Sequence, residues 1–176
     1  MAGDTDITLL GNHLGFPMTP IQLDIQSLVE RAQHELIETV PIPVTHHDVE
    51  DLASSTHPQA VLGRTFNLYA LWSRASLESP WTLMYIGERH SSAGLSRLRD
   101  HLFKVSSSTK SKLKEVRDVV RAGAQMGVTL ILVQPESLRL TVEEELLLLN
   151  SRYIGQLPWN RKGVVALRER LPFPAL

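Results

Sequence analysis

Ile21, Ile25, Leu28, Val29, Ala32 and Leu36 recur at helical spacing behind Thr19-Pro20, a good helix start. They predict a helix reaching about Thr39, ended by Pro41 and Pro43. Residues 1–20, rich in Gly, Pro, Asn and Thr, read as irregular, 46–52 as a short second helix and 54–58 as a loop. Two short runs, 65–72 and 81–87, are rich in aromatic and β-branched residues and read as strands joined by a long hairpin connection containing Pro80. An amphipathic helix over 95–103 turns Leu95, Leu98 and Leu102 inward, and a Ser/Thr/Lys loop follows. Leu113, Val116, Val119, Val120 and Ala124 mark a helix of about 14 residues stopped near Gly127. The continuous apolar run 128–133 has strand length, and Thr141 with Glu144 reads as a capping box opening a last helix that ends near Tyr153. The order β-β-α-α-β-α predicts a small α/β (α+β) unit with a mostly antiparallel sheet flanked by helices, behind an N-terminal helical extension.

A chain of 176 residues with 43% hydrophobic side chains buries a real core in one domain plus an extension. There is no cysteine, which excludes disulfides and thiolate metal sites, so any metal sits on oxygen or histidine. No apolar run reaches the roughly 18–20 residues that span a membrane, and the N-terminus has neither the basic start nor the apolar stretch of a secretory signal, so the expected compartment is the cytoplasm. The net charge of −1 hides a division. Residues 1–63 hold Arg31 alone against nine acidic side chains, whereas 64–176 hold 17 Lys and Arg against 10 Asp and Glu. The basic part suits a polyanion; equally, the two parts can neutralise each other across an internal contact.

The most specific feature is an ordered set of residues. Asn67-Leu68-Tyr69 lies in the first predicted strand, Tyr85-Ile86-Gly87 in the second, and Arg97 and His101 stand four apart on the next helix. Glu143, Glu144 and Glu145 lie on the last helix, and Pro158-Trp159-Asn160 follows it. Over about residues 66–160 this set resembles the GIY-YIG nuclease superfamily, in particular its small type II restriction endonucleases. A second Tyr-Ile-Gly, at 153–155, falls at a helix end and does not fit the pattern. Two departures stand out: Asn-Leu replaces Gly-Ile before Tyr69, and a longer than usual 15 residues separate Tyr69 from Tyr85.

The resemblance implies a divalent-metal-dependent DNA endonuclease whose catalytic residues are Tyr69, Tyr85, Arg97, His101, Glu145 and Asn160. One glutamate would hold Mg2+ or Mn2+; spacing to Asn160 favours Glu145, with Glu144 in reserve. Tyr69 would activate or position the water and Tyr85 would assist. The chemistry is consistent: one carboxylate suits Mg2+, which keeps several waters, and a guanidinium matches a phosphate with paired donors. Tyrosine, with a pKa near 10, is a poor base until a cation lowers it, and a histidine near neutrality can relay a proton. Taken singly, each residue has an ordinary reading: strand tyrosines pack, helix arginines face solvent, glutamates favour a helix N-terminus and an asparagine sits in a turn.

Arg99, Lys104, Lys110, Lys112, Lys114, Trp159, Arg161 and Lys162 are candidate contacts to double-stranded DNA; Trp72 and Trp81 read as hairpin or core packing. A metal site at His46, His47, Asp48 and His57 is disfavoured, because adjacent histidines on a regular element point to opposite sides. The expected organisation is an acidic helical extension (1–63), a nuclease core (64–163) and a basic tail (164–176). One active site per chain and two strands to cut imply a homodimer or higher homo-oligomer; the stripe at 21–36 reads either as its interface or as packing on its own domain. A nuclease toxin or effector and a catalytically inactive DNA-binding domain are the alternative readings.

Overall fold

The computed structural model describes residues 25–104, 111–151 and 157–160. Its elements run α1 (Gln26–Ile37), β1 (Ile42–Val44), β2 (Leu68–Arg74), β3 (Thr82–Glu88), α2 (Gly94–Leu102), α3 (Leu113–Arg121), β4 (Gln125–Ile131) and α4 (Arg139–Asn150). From β2 onward this is the expected β-β-α-α-β-α order, and the class is α+β. The four strands form one antiparallel sheet in the order β1-β4-β2-β3.

β2 reads as a continuous apolar strand because both of its faces are covered. Alternation sends Tyr69 and Leu71 to a core shared with Leu98 and Leu102 of α2, Val116 and Val120 of α3, and Met126 and Val128 of β4. Leu68, Ala70 and Trp72 go to the opposite core, with Ala32 and Leu36 of α1 and Val142, Leu146 and Leu147 of α4. Trp72 also donates from its indole N–H to Thr129 at 3.0 Å, and Trp81 packs against the same core beneath the Arg74 guanidinium, so both follow the packing reading.

The buried residues of α1 pack on the chain's own sheet and on α4, and β1 is the sheet's edge strand. Pro43, which has no N–H to donate, is tolerated there because an edge strand bonds on one side only. Residues 46–51 form no helix; a single 3-10 turn at Leu52–Ser54 follows, with the Asp51 side chain accepting from Ala53 N–H. Gly127 does not stop α3. It lies inside β4, where a Cβ would come within 2.8 Å of the Trp81 ring, and α3 ends instead at Gly123, whose φ of +79° is the left-handed cap glycine favours. Thr141 caps nothing, since α4 is already running from Arg139 after a 3-10 turn at Glu136–Leu138.

Two asparagines finish the sheet. Asn67 donates from its amide to Val133 O at 2.9 Å and accepts from Val133 N–H at 2.8 Å. Asn160 does the same to Ile86, at 2.9 and 2.8 Å. With Leu157 N–H donating to Leu83 O and Trp159 N–H to Met84 O, the segment 157–160 covers the outer edge of β3.

Candidate active site

The sheet and α2 bring the two tyrosine signatures together. Tyr69 on β2 stands opposite Gly87 on β3, and a Cβ on Gly87 would lie 2.7 Å from the Tyr69 Cζ and Oη and 2.6 Å from Tyr85 Cε1. Only glycine leaves both phenol rings room at this position. The rings of Tyr69, Tyr85 and His101 then pack mutually, with centroids 5.3 to 6.2 Å apart. Tyr69 and His101 are fully buried, whereas Tyr85 and Arg97 are half-buried and open the cluster to solvent. Tyr69 Oη is 2.8 Å from His101 Nε2, and His101 Nδ1 accepts from the Lys112 backbone N–H at 2.9 Å. The Lys112 ammonium stands 5.4 Å over the Tyr85 ring.

Burial dominates the electrostatics. It drives the Tyr69 hydroxyl well above the usual tyrosine range; neighbouring Tyr85 adds to this, while the Arg97 guanidinium, which bonds that hydroxyl, pulls the other way. Tyr85 is pushed up to about 12, by burial first and then by Glu143, with Arg97 and the Tyr69 hydroxyl opposing. His101 is pushed down to about 3 by burial and by the cations Arg97 and Lys112. Burial therefore favours its neutral form.

The charge of Glu143 raises both tyrosines, and that of Glu88 also raises Tyr85. Glu143 lies on the same side of α4 as the buried Val142, Leu146, Leu147 and Asn150, whereas Glu144 is exposed and Glu145 is turned about 200° round the helix from Glu143. Burial, then the charges of Glu88 and Glu144, raise Glu143 to about 8. Glu88, immediately after Tyr-Ile-Gly, and Arg139, which donates to it at 2.8 Å, are members of the site that sequence reasoning missed. Their only sequence signal is spacing: Glu88 follows Gly87, and Arg139 precedes Glu143 by one helical turn.

Among the described residues no group of three or more His, Cys, Asp or Glu converges as a complete metal cage. The donor set still fits a hard divalent cation. It is all oxygen, and a half-buried carboxylate with the Glu88 carboxylate acting on it is driven toward its protonated form for want of positive charge. Mg2+ needs only one or two carboxylates when waters and a phosphate complete its shell.

Asn160 is not placed for chemistry, because both ends of its amide are engaged by the Ile86 backbone; it fixes the strand that carries Tyr85 and Gly87. Trp159 is half-buried against the α2/α3 core. Arg99, Lys104 and Lys114 are exposed and Lys112 is half-buried, while Lys110, Arg161 and Lys162 lie outside the described residues. His46 and His57 do not form a metal site: each packs against the Phe103 ring, at 5.4 and 5.0 Å, and burial lowers the pKa of both. No helix among the described residues is long and apolar enough to cross a membrane. No family model, curated protein or solved structure matches the chain.

Proposed function

We propose that the protein is a divalent-metal-dependent endonuclease of the GIY-YIG type that hydrolyses phosphodiester bonds in double-stranded DNA, most closely a type II restriction-type enzyme. The observation that carries this reading is the meeting of Tyr69, Tyr85, Arg97 and His101 from three elements, with both tyrosines packed over Gly87 and the charge of Glu143 acting on both. Packing alone does not require a guanidinium, a half-buried carboxylate and two phenols to meet in one place. The Asn67-Leu68 departure does not argue for a dead domain, because Asn67 ties the start of β2 to Val133.

The division of labour follows from each group's chemistry. Arg97 places a planar pair of donors where a phosphate meets the tyrosines. Glu143 would hold Mg2+ or Mn2+, which supplies positive charge to the phosphoryl oxygens. The tyrosine pair handles the water proton, and the exposed Arg99, Lys104 and Lys114 contact the DNA backbone. The active unit is a homodimer or higher homo-oligomer, because a duplex has two strands and each chain one site. Its interface is not the stripe of α1, which its own core occupies.

The test is incubation of purified protein with supercoiled plasmid in Mg2+, in Mn2+ and in EDTA. Discrete fragments in metal alone support the restriction-type reading, and a metal-dependent smear favours the toxin. DNA bound but intact in both metals contradicts a nuclease and leaves the inactive binding domain.

A further inference from the structure

The two edges of the sheet are finished differently. The segment 157–160 covers β3, but β1 covers only part of β4. Pro43 has no N–H to give, so the bonded pairs of β1 are Ile42 with Val128 and Val44 with Met126. Backbone groups alternate sides along a strand, so the next N–H and C=O of β4 to face that edge are those of Leu130. β1 stops at Ile42, and among the described residues no strand meets Leu130 there. Beside this open stretch lies a groove of about 570 Å3 between α1 and residues 130–134. Leu28, Arg31 and Glu35 line its α1 wall, spaced three and four apart on one helix face. Arg31 and Glu35 are exposed and flank the buried stripe of Val29, Ala32 and Leu36. Leu132, in the groove, is 41% exposed, and Val40, two residues before β1, is 77% exposed. An open edge rimmed by apolar side chains is a surface that another strand satisfies.

We propose that a second copy of this chain occupies the groove, its β4 pairing antiparallel with this β4 beyond Val128. The need for a dimer rests on the nuclease reading above; the open edge does not. Charge selects the occupant. Arg31 and Glu35 are opposite in sign and one helical turn apart. A twofold axis between paired β4 strands sets α1 beside its symmetry mate, running the other way. Arg31 of each copy then faces Glu35 of the other, so the surface is complementary to itself. A purely acidic or purely basic segment would satisfy one of the two charges and oppose the other. The axis relating two antiparallel strands stands perpendicular to the sheet, so both copies show the same face to the same side. That face carries α2, α3 and the tyrosine–histidine cluster. The dimer is therefore one continuous sheet, four strands from each copy, with both candidate sites on one side of it. Cutting both strands of one duplex requires that arrangement.

Light scattering on the full chain over a dilution series tests this without DNA. The wild type is expected to be a dimer. Arg31→Glu sets a carboxylate against Glu35 of the other copy, and Glu35→Arg sets a guanidinium against Arg31. Each is expected to weaken dimerisation at least about 10-fold. Both exchanges together restore opposite charges and are expected to restore the dimer, which a merely local effect on α1 would not do. Leu132→Lys, at an exposed position, is expected to give a monomer with an unchanged melting transition. Hydrogen exchange reads the edge itself: the Leu130 amide is expected to be protected in the wild-type dimer and to exchange freely in Leu132→Lys. A wild-type monomer at every concentration, or a dimer indifferent to all these exchanges, overturns the proposal. So does a protected Leu130 amide in a monomer, which gives the groove to another occupant. A dimer on this edge in a protein that cuts no DNA upholds the interface and removes the nuclease reading alone. A monomer that cuts DNA removes the interface alone.

Discussion

Two groups of the cluster respond to pH with opposite signs. His101 falls to about 3 in the folded chain, while in the unfolded chain it titrates near 6.5, so between these values the unfolded state holds more protons and stability drops as pH falls. From pH 6.5 to 4.5 this costs about 2–3 kcal/mol. His46 and His57 act in the same direction, so the comparison that isolates His101 is the pH slope of melting temperature in wild type against His101→Gln, which is expected to be flatter. Glu143 does the reverse. Raised from 4.5 to about 8, it keeps a proton that the unfolded chain releases, and stability falls as pH rises through that window. Glu143→Gln is therefore expected to melt above wild type at pH 8.5 and close to it at pH 4.5. Tyr69, Tyr85, Arg97 and His101 were legible in the sequence as a set. The choice of glutamate was not, because spacing to Asn160 pointed to Glu145 while the apolar stripe Val142, Leu146, Leu147 on the same helix points to Glu143. Side-chain direction, not distance along the chain, decides which carboxylate's charge the tyrosines feel.

At the scale of elements, the site depends on β3 being held along both of its edges, by β2 and by the segment 157–160. Gly87→Ala is expected to lower stability by about 1–3 kcal/mol and to abolish activity together, since the added methyl displaces Tyr69 or Tyr85. Asn160→Ala leaves Ile86 N–H and C=O without their partners and is expected to cost about 2 kcal/mol, read by urea unfolding. The loss in cleavage should follow the loss of folded strand geometry, with the pH profile unchanged in shape. The strands and helices from β2 onward were readable from periodicity, with ends shifted by a few residues. β1 was not, because a three-residue strand containing Pro43 has no period to detect, and Gly127, inside β4, reads as the glycine that ends α3. Gly123 and Gly127 differ by backbone angle and by the Trp81 ring overhead, neither of which is written in the local sequence.

The whole molecule is more integrated than its charge division implies. α1 and β1 belong to the acidic part, yet they fill one core and close one edge of the sheet. An ion pair between Glu50 and Arg121 also joins the acidic part to the basic one at the surface. A chain beginning at residue 46 loses Ala32, Leu36 and Val44 from the two cores and uncovers β4. It is expected to be insoluble or to lack a cooperative melting transition, as circular dichroism would read. The sequence offered the stripe at 21–36 as packing or interface without deciding between them, because amphipathic periodicity says that a face is covered and not by what.

The central claim is that the Tyr69, Tyr85, Arg97 and Glu143 cluster hydrolyses phosphodiester bonds. Its most direct measurement is the rate of plasmid cleavage in Mg2+ by wild type, Glu143→Gln and Glu145→Gln, purified side by side with matched melting profiles. The account predicts metal-dependent cleavage by wild type, near-wild-type cleavage by Glu145→Gln, and a loss of at least about 100-fold in Glu143→Gln. Cleavage by Glu143→Gln at the wild-type rate, or none by wild type in either Mg2+ or Mn2+, would contradict it.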